Sequence, residues 1–222
     1  MGLFKKSGST GVICDDPRIL VIDDVASLEE CAHVIELVEG RMHDARIVGE
    51  DKADVMMSKR SASVGWVHPR QTDTVAALSD RVAELAEQSA RNIEDMQVVK
   101  YEPGDQHTLH LDTFDPDEPA GRSQLRNGGQ RLRTGLLYLA EPSMGGSTAF
   151  PKVKARVKPK VGRLVLFDTV LDDGAPNPKS LHSGMPVVRG QKWACNFWFR
   201  EKPPKSNVMG AGKKAKKNQR RR

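Results

Sequence analysis

From residue 96 onward apolar and polar positions alternate with a period of two, through 96–101, 132–139, 163–167 and 192–200. Residues 28–39 and 72–91 instead place their apolar positions three and four apart. Alternation sends successive side chains to opposite faces of a strand, whereas the three-four spacing lines one stripe of a helix. In the first helical segment that stripe is Cys31, Val34, Ile35 and Val38, with Ser27 and Glu30 at capping-box spacing and Gly40 at its end. In the second it is Val75, Leu78, Val82 and Leu85. Residues 17–25 read as an opening strand. Clusters of Gly and Pro at 103–104, 116–121, 142–146 and 174–178 punctuate the strand-rich half in the manner of an antiparallel barrel or sandwich. The predicted fold is mainly β with supporting helices: a double-stranded β-helix, or jelly roll, buttressed by the N-terminal α-helices.

At 222 residues the chain is long enough for one well-buried domain with extensions. That domain is expected over 17–203, after a flexible segment at 1–16 and before a disordered basic tail at 204–222. The formal charge is +6, but Lys213, Lys214, Lys216, Lys217, Arg220, Arg221 and Arg222 bring seven cations with no acid among them, so the rest of the chain is near −1. Basicity therefore describes the tail, and any contact with a polyanion is expected there, not in the domain. Cys14, Cys31 and Cys195 are scattered without a CxxC pair, which argues against a zinc ribbon, a thioredoxin-type motif or a disulfide scaffold. The first residues form no apolar run of signal-peptide or membrane-spanning length. A cytoplasmic location without a transmembrane segment is expected, with the secretory pathway and the nucleus left open. The oligomeric state is not legible.

Candidate chemistry lies in the strand-rich half. His110 and Asp112 are two apart, so on a strand they project together while Leu111 points away. His182 follows 70 residues after Asp112 and offers a third group. Two imidazoles and one carboxylate leave open positions on non-haem Fe(II), although zinc enzymes use the same side chains. His-x-Asp alone occurs commonly in turns and solvated strands; Lys192 supplies the discrimination. Alternation in 192–200 puts Lys192, Ala194, Asn196, Trp198 and Arg200 on one face, with Trp193, Cys195, Phe197 and Phe199 on the core face. A lysine turned inward is costly without an anion, and a dicarboxylate co-substrate on the metal brings one. His33, His43 and His68 have no partner pattern and read as structural or solvated.

The motifs Gln97-Val-Val-Lys-Tyr101-Glu-Pro-Gly104, His110-Leu-Asp112, Asn127-Gly-Gly-Gln-Arg131 and Thr134-Gly-Leu-Leu-Tyr-Leu139 are followed by Gly145-Gly-Ser-Thr-Ala-Phe-Pro151, Val157-Lys-Pro-Lys-Val-Gly162, Lys179-Ser-Leu-His182 and Lys192-Trp193. In this order, across residues 17–201, the chain resembles the catalytic domain of the prolyl 4-hydroxylases of the collagen and plant cell-wall type, within the Fe(II)/2-oxoglutarate dioxygenases. The resemblance implies that His110, Asp112 and His182 hold iron and that Lys192 pairs with the distal carboxylate of 2-oxoglutarate. It implies Tyr101 and Thr134 as further donors to that carboxylate, and Trp198 as a wall of the substrate pocket. Arg60 matches a family arginine ahead of the barrel. Three residues before the first ligand, where the family usually has tyrosine, stands His107, an imidazole bordering the substrate pocket. The implied reaction couples decarboxylation of 2-oxoglutarate by O2 to hydroxylation at C4 of proline in a peptide or protein, with ascorbate as reductant. Two alternatives stand beside it: the same chemistry on lysine, another side chain or a small molecule, and a non-enzymatic protein that binds polyanions through its tail. Segments 113–129 and 169–179, next to the ligands, are expected to act as lids.

Overall fold

The computed structural model describes residues 10–44 and 62–205. Arg60 and the basic run from Lys213 to Arg222 lie outside these residues. The strands are β1 (Thr10–Asp15), β2 (Arg18–Ile22), β3 (His43–Asp44), β4 (Ser63–Val67), β5 (Met96–Tyr101), β6 (His107–His110), β7 (Arg131–Ala140), β8 (Met144–Gly145), β9 (Thr148–Phe150), β10 (Ala155–Val157), β11 (Leu164–Asp168), β12 (His182–Gly184), β13 (Val187–Arg189) and β14 (Lys192–Arg200). The helices are α1 (Leu28–Glu39), α2 (Asp73–Leu85) and α3 (Pro119–Leu125).

Helix α1 starts where the sequence places its cap. The Ser27 hydroxyl accepts from the Glu30 amide at 3.2 Å, and the Glu30 carboxylate accepts from the Ser27 amide at 2.9 Å. Helix α2 is shorter than the expected 72–91: Glu87 has a φ of 54°, which ends the helix, and Ala90–Asn92 is a separate 3-10 turn.

Eight strands form one antiparallel sheet in the order β1-β2-β11-β7-β14-β5-β4-β3, and four form another in the order β10-β9-β12-β6. Strand alternation divides the large sheet's side chains between two layers. Leu20, Ile22, Leu137, Leu139, Leu164, Leu166 and the odd-numbered residues of β14 pack with Cys31, Val34 and Val38 of α1 and Val75, Leu78 and Val82 of α2. From the opposite face Ile19, Tyr138, Val165, Phe167 and Ala194 meet Phe150 and Val157 of the small sheet. Two facing sheets with helices outside one of them make the predicted jelly roll. No helix among the described residues is long and apolar enough to cross a membrane.

Two expectations change. Residues 10–15, assigned to a flexible segment, form β1, an edge strand paired with β2 from Thr10↔Ile22 to Asp15↔Arg18. Backbone pairing holds it; Val12 and Ile13 are exposed, so no buried alternation marked it. Segment 113–129 is not simple loop, because it contains α3. Gly121 of that helix packs so closely that a Cβ would lie 1.8 Å from the Asp115 carbonyl oxygen.

Where α1 crosses β4, position 65 is equally constrained: a Cβ on Gly65 would stand 2.7 Å from Val38 Cβ. Gly65→Ala is therefore expected to destabilise the fold by about 1–3 kcal/mol in a urea titration. Gly11→Ala, with nothing within 4 Å of the added methyl, should change stability by less than about 0.5 kcal/mol.

Candidate active site

Between the two sheets opens a cavity of about 1100 Å³. Its floor comes from the even-numbered residues of β14, namely Lys192, Ala194, Asn196, Trp198 and Arg200, the face assigned inward by alternation. On the small sheet, β6 and β12 pair antiparallel with His110 opposite His182. That register brings the two imidazoles side by side across adjacent strands, with ring centroids 4.2 Å apart and ring planes tilted by 54°.

Asp112 completes the group. Its Oδ1 lies 3.6 Å from His110 Nε2 and its Oδ2 3.8 Å from His182 Nε2. The three residues offer ligand atoms all within 4.8 Å of one another, the only such cluster among the described residues. The backbone fixes both tautomers: His110 Nδ1 bonds the Thr108 carbonyl at 2.8 Å and His182 Nδ1 bonds the Ser180 carbonyl at 3.0 Å. Each Nε2 is thereby left as an inward lone pair, the arrangement by which outer groups prepare imidazole for a metal. Burial alone would raise the Asp112 carboxyl, but His182, His110 and Arg131 hold it well below the usual carboxylate range. Burial first, then His110, pushes His182 down to about 4. An anionic carboxylate and a neutral imidazole are the forms that bind a divalent cation, so this donor set fits one.

The local backbone departs from expectation. Strand β6 ends at His110, so Asp112 belongs to the bend beyond it, and Leu111, expected to point away, also borders the cavity. Between the pairs His110↔His182 and His107↔Gly184, three steps on β6 match two on β12. This bulge cancels the parity that puts residues three apart on opposite faces. His107 therefore lines the cavity and stacks on the His110 ring, centroids 3.6 Å apart.

Lys192 lies at the other end of β14, 2% exposed, with its Nζ 4.9 Å from the Tyr101 ring centroid and 5.4 Å from that of Tyr138. A Cβ on Gly184, two residues after His182, would stand 3.8 Å from this Nζ. Tyr138 and Thr148 share a 2.7 Å hydroxyl bond, and burial pushes the Tyr138 phenol up, so it stays neutral. Both lie within motifs that carry the resemblance, 134–139 and 145–151, but the sequence pattern assigns neither a role of its own. Thr134, grouped there with Tyr101, lies elsewhere. It pairs with Trp198, six residues or about 20 Å of strand from Lys192. Its hydroxyl donates to Asp112 Oδ2 at 2.7 Å.

One ionic network fastens the segment carrying Asp112. Glu94 takes both Arg131 (2.7 and 2.9 Å) and Arg200 (2.9 Å). Arg131 also donates to the Asp112 carbonyl at 3.2 Å and lies over the Trp198 ring, 3.6 Å from its centroid. Arg200, 1% exposed, donates to the Gln124 and Asn127 carbonyls at the end of α3. Trp198 Nε1 and Arg200 Nε are buried without acceptors among the described residues, so the network is rich in donors. His33 bonds the Thr72 hydroxyl at 2.9 Å, tying α1 to the start of α2; His68 Nδ1 accepts from the Arg70 amide at 3.1 Å, and His43 borders the cavity.

A family model for the 2OG-Fe(II) oxygenase superfamily matches residues 96–200. The chain is 32% identical over 209 residues to probable prolyl 4-hydroxylase 10 of Arabidopsis thaliana, covering 85% of this chain and 71% of that protein. It is 30% identical over 192 residues to a putative prolyl 4-hydroxylase of Acanthamoeba polyphaga mimivirus, covering 85% and 77%. Among solved structures, a 2OG complex of the viral collagen prolyl hydroxylase from Paramecium Bursaria Chlorella virus-1 superposes with a TM-score of 0.67. That similarity is 28% in sequence and covers 84% of this chain and 98% of the other.

Thr134→Val removes the hydroxyl that holds Asp112. Fe(II) affinity, read by titration under anaerobic conditions, is expected to fall about 10- to 100-fold. At saturating Fe(II) the affinity for 2-oxoglutarate should stay unchanged, which separates this role from a contact with the co-substrate.

Proposed function

The chain belongs to the prolyl 4-hydroxylase family of the 2OG-Fe(II) oxygenase superfamily, and from that membership we propose that it hydroxylates C4 of proline in a peptide or protein. As a member it is an Fe(II)- and 2-oxoglutarate-dependent dioxygenase. The observation that carries the reading is a His110, Asp112 and His182 cluster sharing one cavity with the buried cation Lys192. A zinc site would account for the first three but not for the fourth.

In this reading His110, Asp112 and His182 would hold Fe(II), a ligand set that would leave positions for the co-substrate and O2. Lys192 binds the distal carboxylate of 2-oxoglutarate, Tyr101 stands beside it, and the Tyr138–Thr148 hydroxyl pair offers neutral donors for the remaining lone pairs. The bound metal and co-substrate supply oxidative decarboxylation to succinate and carbon dioxide, with one oxygen atom delivered to a substrate C–H bond. The chain's own groups position and shield. Phe150 and Phe167 pack on the His182 ring, with centroids 5.5 and 4.9 Å away, and keep water from that side. Trp198 and His107 border the space above the cluster where the peptide enters. Ascorbate is assigned as reductant on the family resemblance.

Incubation with Fe(II), 2-oxoglutarate and a proline-containing peptide is expected to release succinate and to add one oxygen atom at proline, located by fragmentation mass spectrometry. An iron-loaded, folded protein that modifies no proline peptide would overturn the assignment. Lys192→Ala should raise the KM for 2-oxoglutarate by about tenfold or more, the scale of a lost charge-assisted hydrogen bond. Its effect on the KM for peptide should be far smaller.

A further inference from the structure

We propose that Trp66 forms an outer subsite of the peptide groove, where its indole stacks a residue several positions from the reacting proline in a polyproline II segment. The inference rests on reading the site as that of a peptidyl-proline hydroxylase. Alternation along β4 turns Val64 and Trp66 toward the cavity, while Gly65 meets Val38 in the helix layer and Val67 joins the core there. Val64 is buried with Val99, Tyr101 and Val187; Trp66 belongs to none of the buried clusters and is 39% exposed. A tryptophan serving only to pack would be covered. This one presents its ring to a cavity that also contains the metal-ligating cluster.

Its surroundings lead from that cluster outward. Arg131, which holds the Asp112 carbonyl, lies over the Trp198 ring, and the Trp66 and Trp198 rings are 6.5 Å apart at 45°. Trp198 is paired with Thr134, the residue bonded to Asp112, whereas Trp66 sits two strands further on, across β5. Three strand spacings from β7 to β4 amount to about 14 Å. A polyproline II chain rises about 3.1 Å per residue, so four or five residues bridge that span. Such a chain suits the groove for two reasons. Its backbone makes no internal hydrogen bonds and so arrives with free carbonyls for a donor-rich floor, and its pyrrolidine rings pack flat on aromatic faces. Trp66 on this account contributes to binding, and its contribution depends on peptide length.

The test compares KM for a tripeptide centred on proline with KM for a proline-rich peptide of about ten residues, long enough to reach β4. In the wild type the longer peptide is expected to bind more tightly. In Trp66→Ala that advantage should fall roughly three- to tenfold, and Trp66→Phe, which keeps an aromatic face, should retain most of it. An undiminished advantage in Trp66→Ala overturns the proposal. Should the iron-loaded wild type turn over no proline peptide, the reading of the function fails, and fluorescence decides the subsite separately. Protection of tryptophan emission from acrylamide by the longer peptide, lost in Trp66→Phe, supports it; absence of protection in the wild type overturns it.

Discussion

One negative charge, held almost out of water, organises this cavity. Asp112 is 7% exposed, and such a carboxylate persists only where its surroundings favour the ionised form. Here the Thr134 hydroxyl donates to Oδ2 and Arg131 stands behind its backbone, while two imidazoles turn their Nε2 atoms toward its two oxygens and leave a space between the three groups that a cation would fill. Because these groups come from three strands, with Arg131 and Thr134 both on β7, the cluster assembles only when β6, β7 and β12 are all in register. The jelly roll is thus a requirement of the site as well as its container.

The second ionic device works at longer range. Glu94 lies just before β5, Arg131 opens β7 and Arg200 closes β14, so one acid joins three adjacent strands at the mouth of the cavity. Buried pairs of this kind are weak evidence of stability, because desolvation offsets much of their attraction. Their geometry is more informative. Arg200 reaches the carbonyls that end α3, Arg131 reaches Asp112, and Gln130 brackets both the amide and the carbonyl of Phe114 at 2.8 and 2.9 Å. The segment between the metal-ligating bend and β7 is therefore fastened at several points, which limits how far it can open as a lid.

Legibility in the sequence followed the range of the interaction. The capping box of α1 and the two faces of β14 are set by residues a few positions apart, and both stand as the pattern predicts. The ligand types could be read because their chemistry is rare in combination, although the spacing argument for Asp112 assumed a strand that stops at His110. What escaped depends on partners distant in the chain. Edge strand β1 buries too little to leave a pattern, α3 is set by Gly121 against Asp115 and by Arg200, and Tyr138 resembles its apolar neighbours until Thr148 is seen against its hydroxyl. Thr134 was grouped with Tyr101 by resemblance, and only the register of β7 on β14 separates them.

His107 shows how a local irregularity redirects chemistry. In a regular ladder it would face away from His110, and an imidazole there would concern solvent alone. The extra residue in β6 turns it back, so that it covers one face of a metal-ligating ring while its neighbour Leu109 is half exposed on the outside. Bulges re-aim side chains near sites in this way and fix them there, because undoing one would shift every pair beyond it. The pairing of His110 with His182 lies just beyond this one. Placing His107 over the cluster and bringing the two ligating imidazoles together are consequently one structural event, so a ring of different length at position 107 alters the pocket wall while the ligand register stays in place.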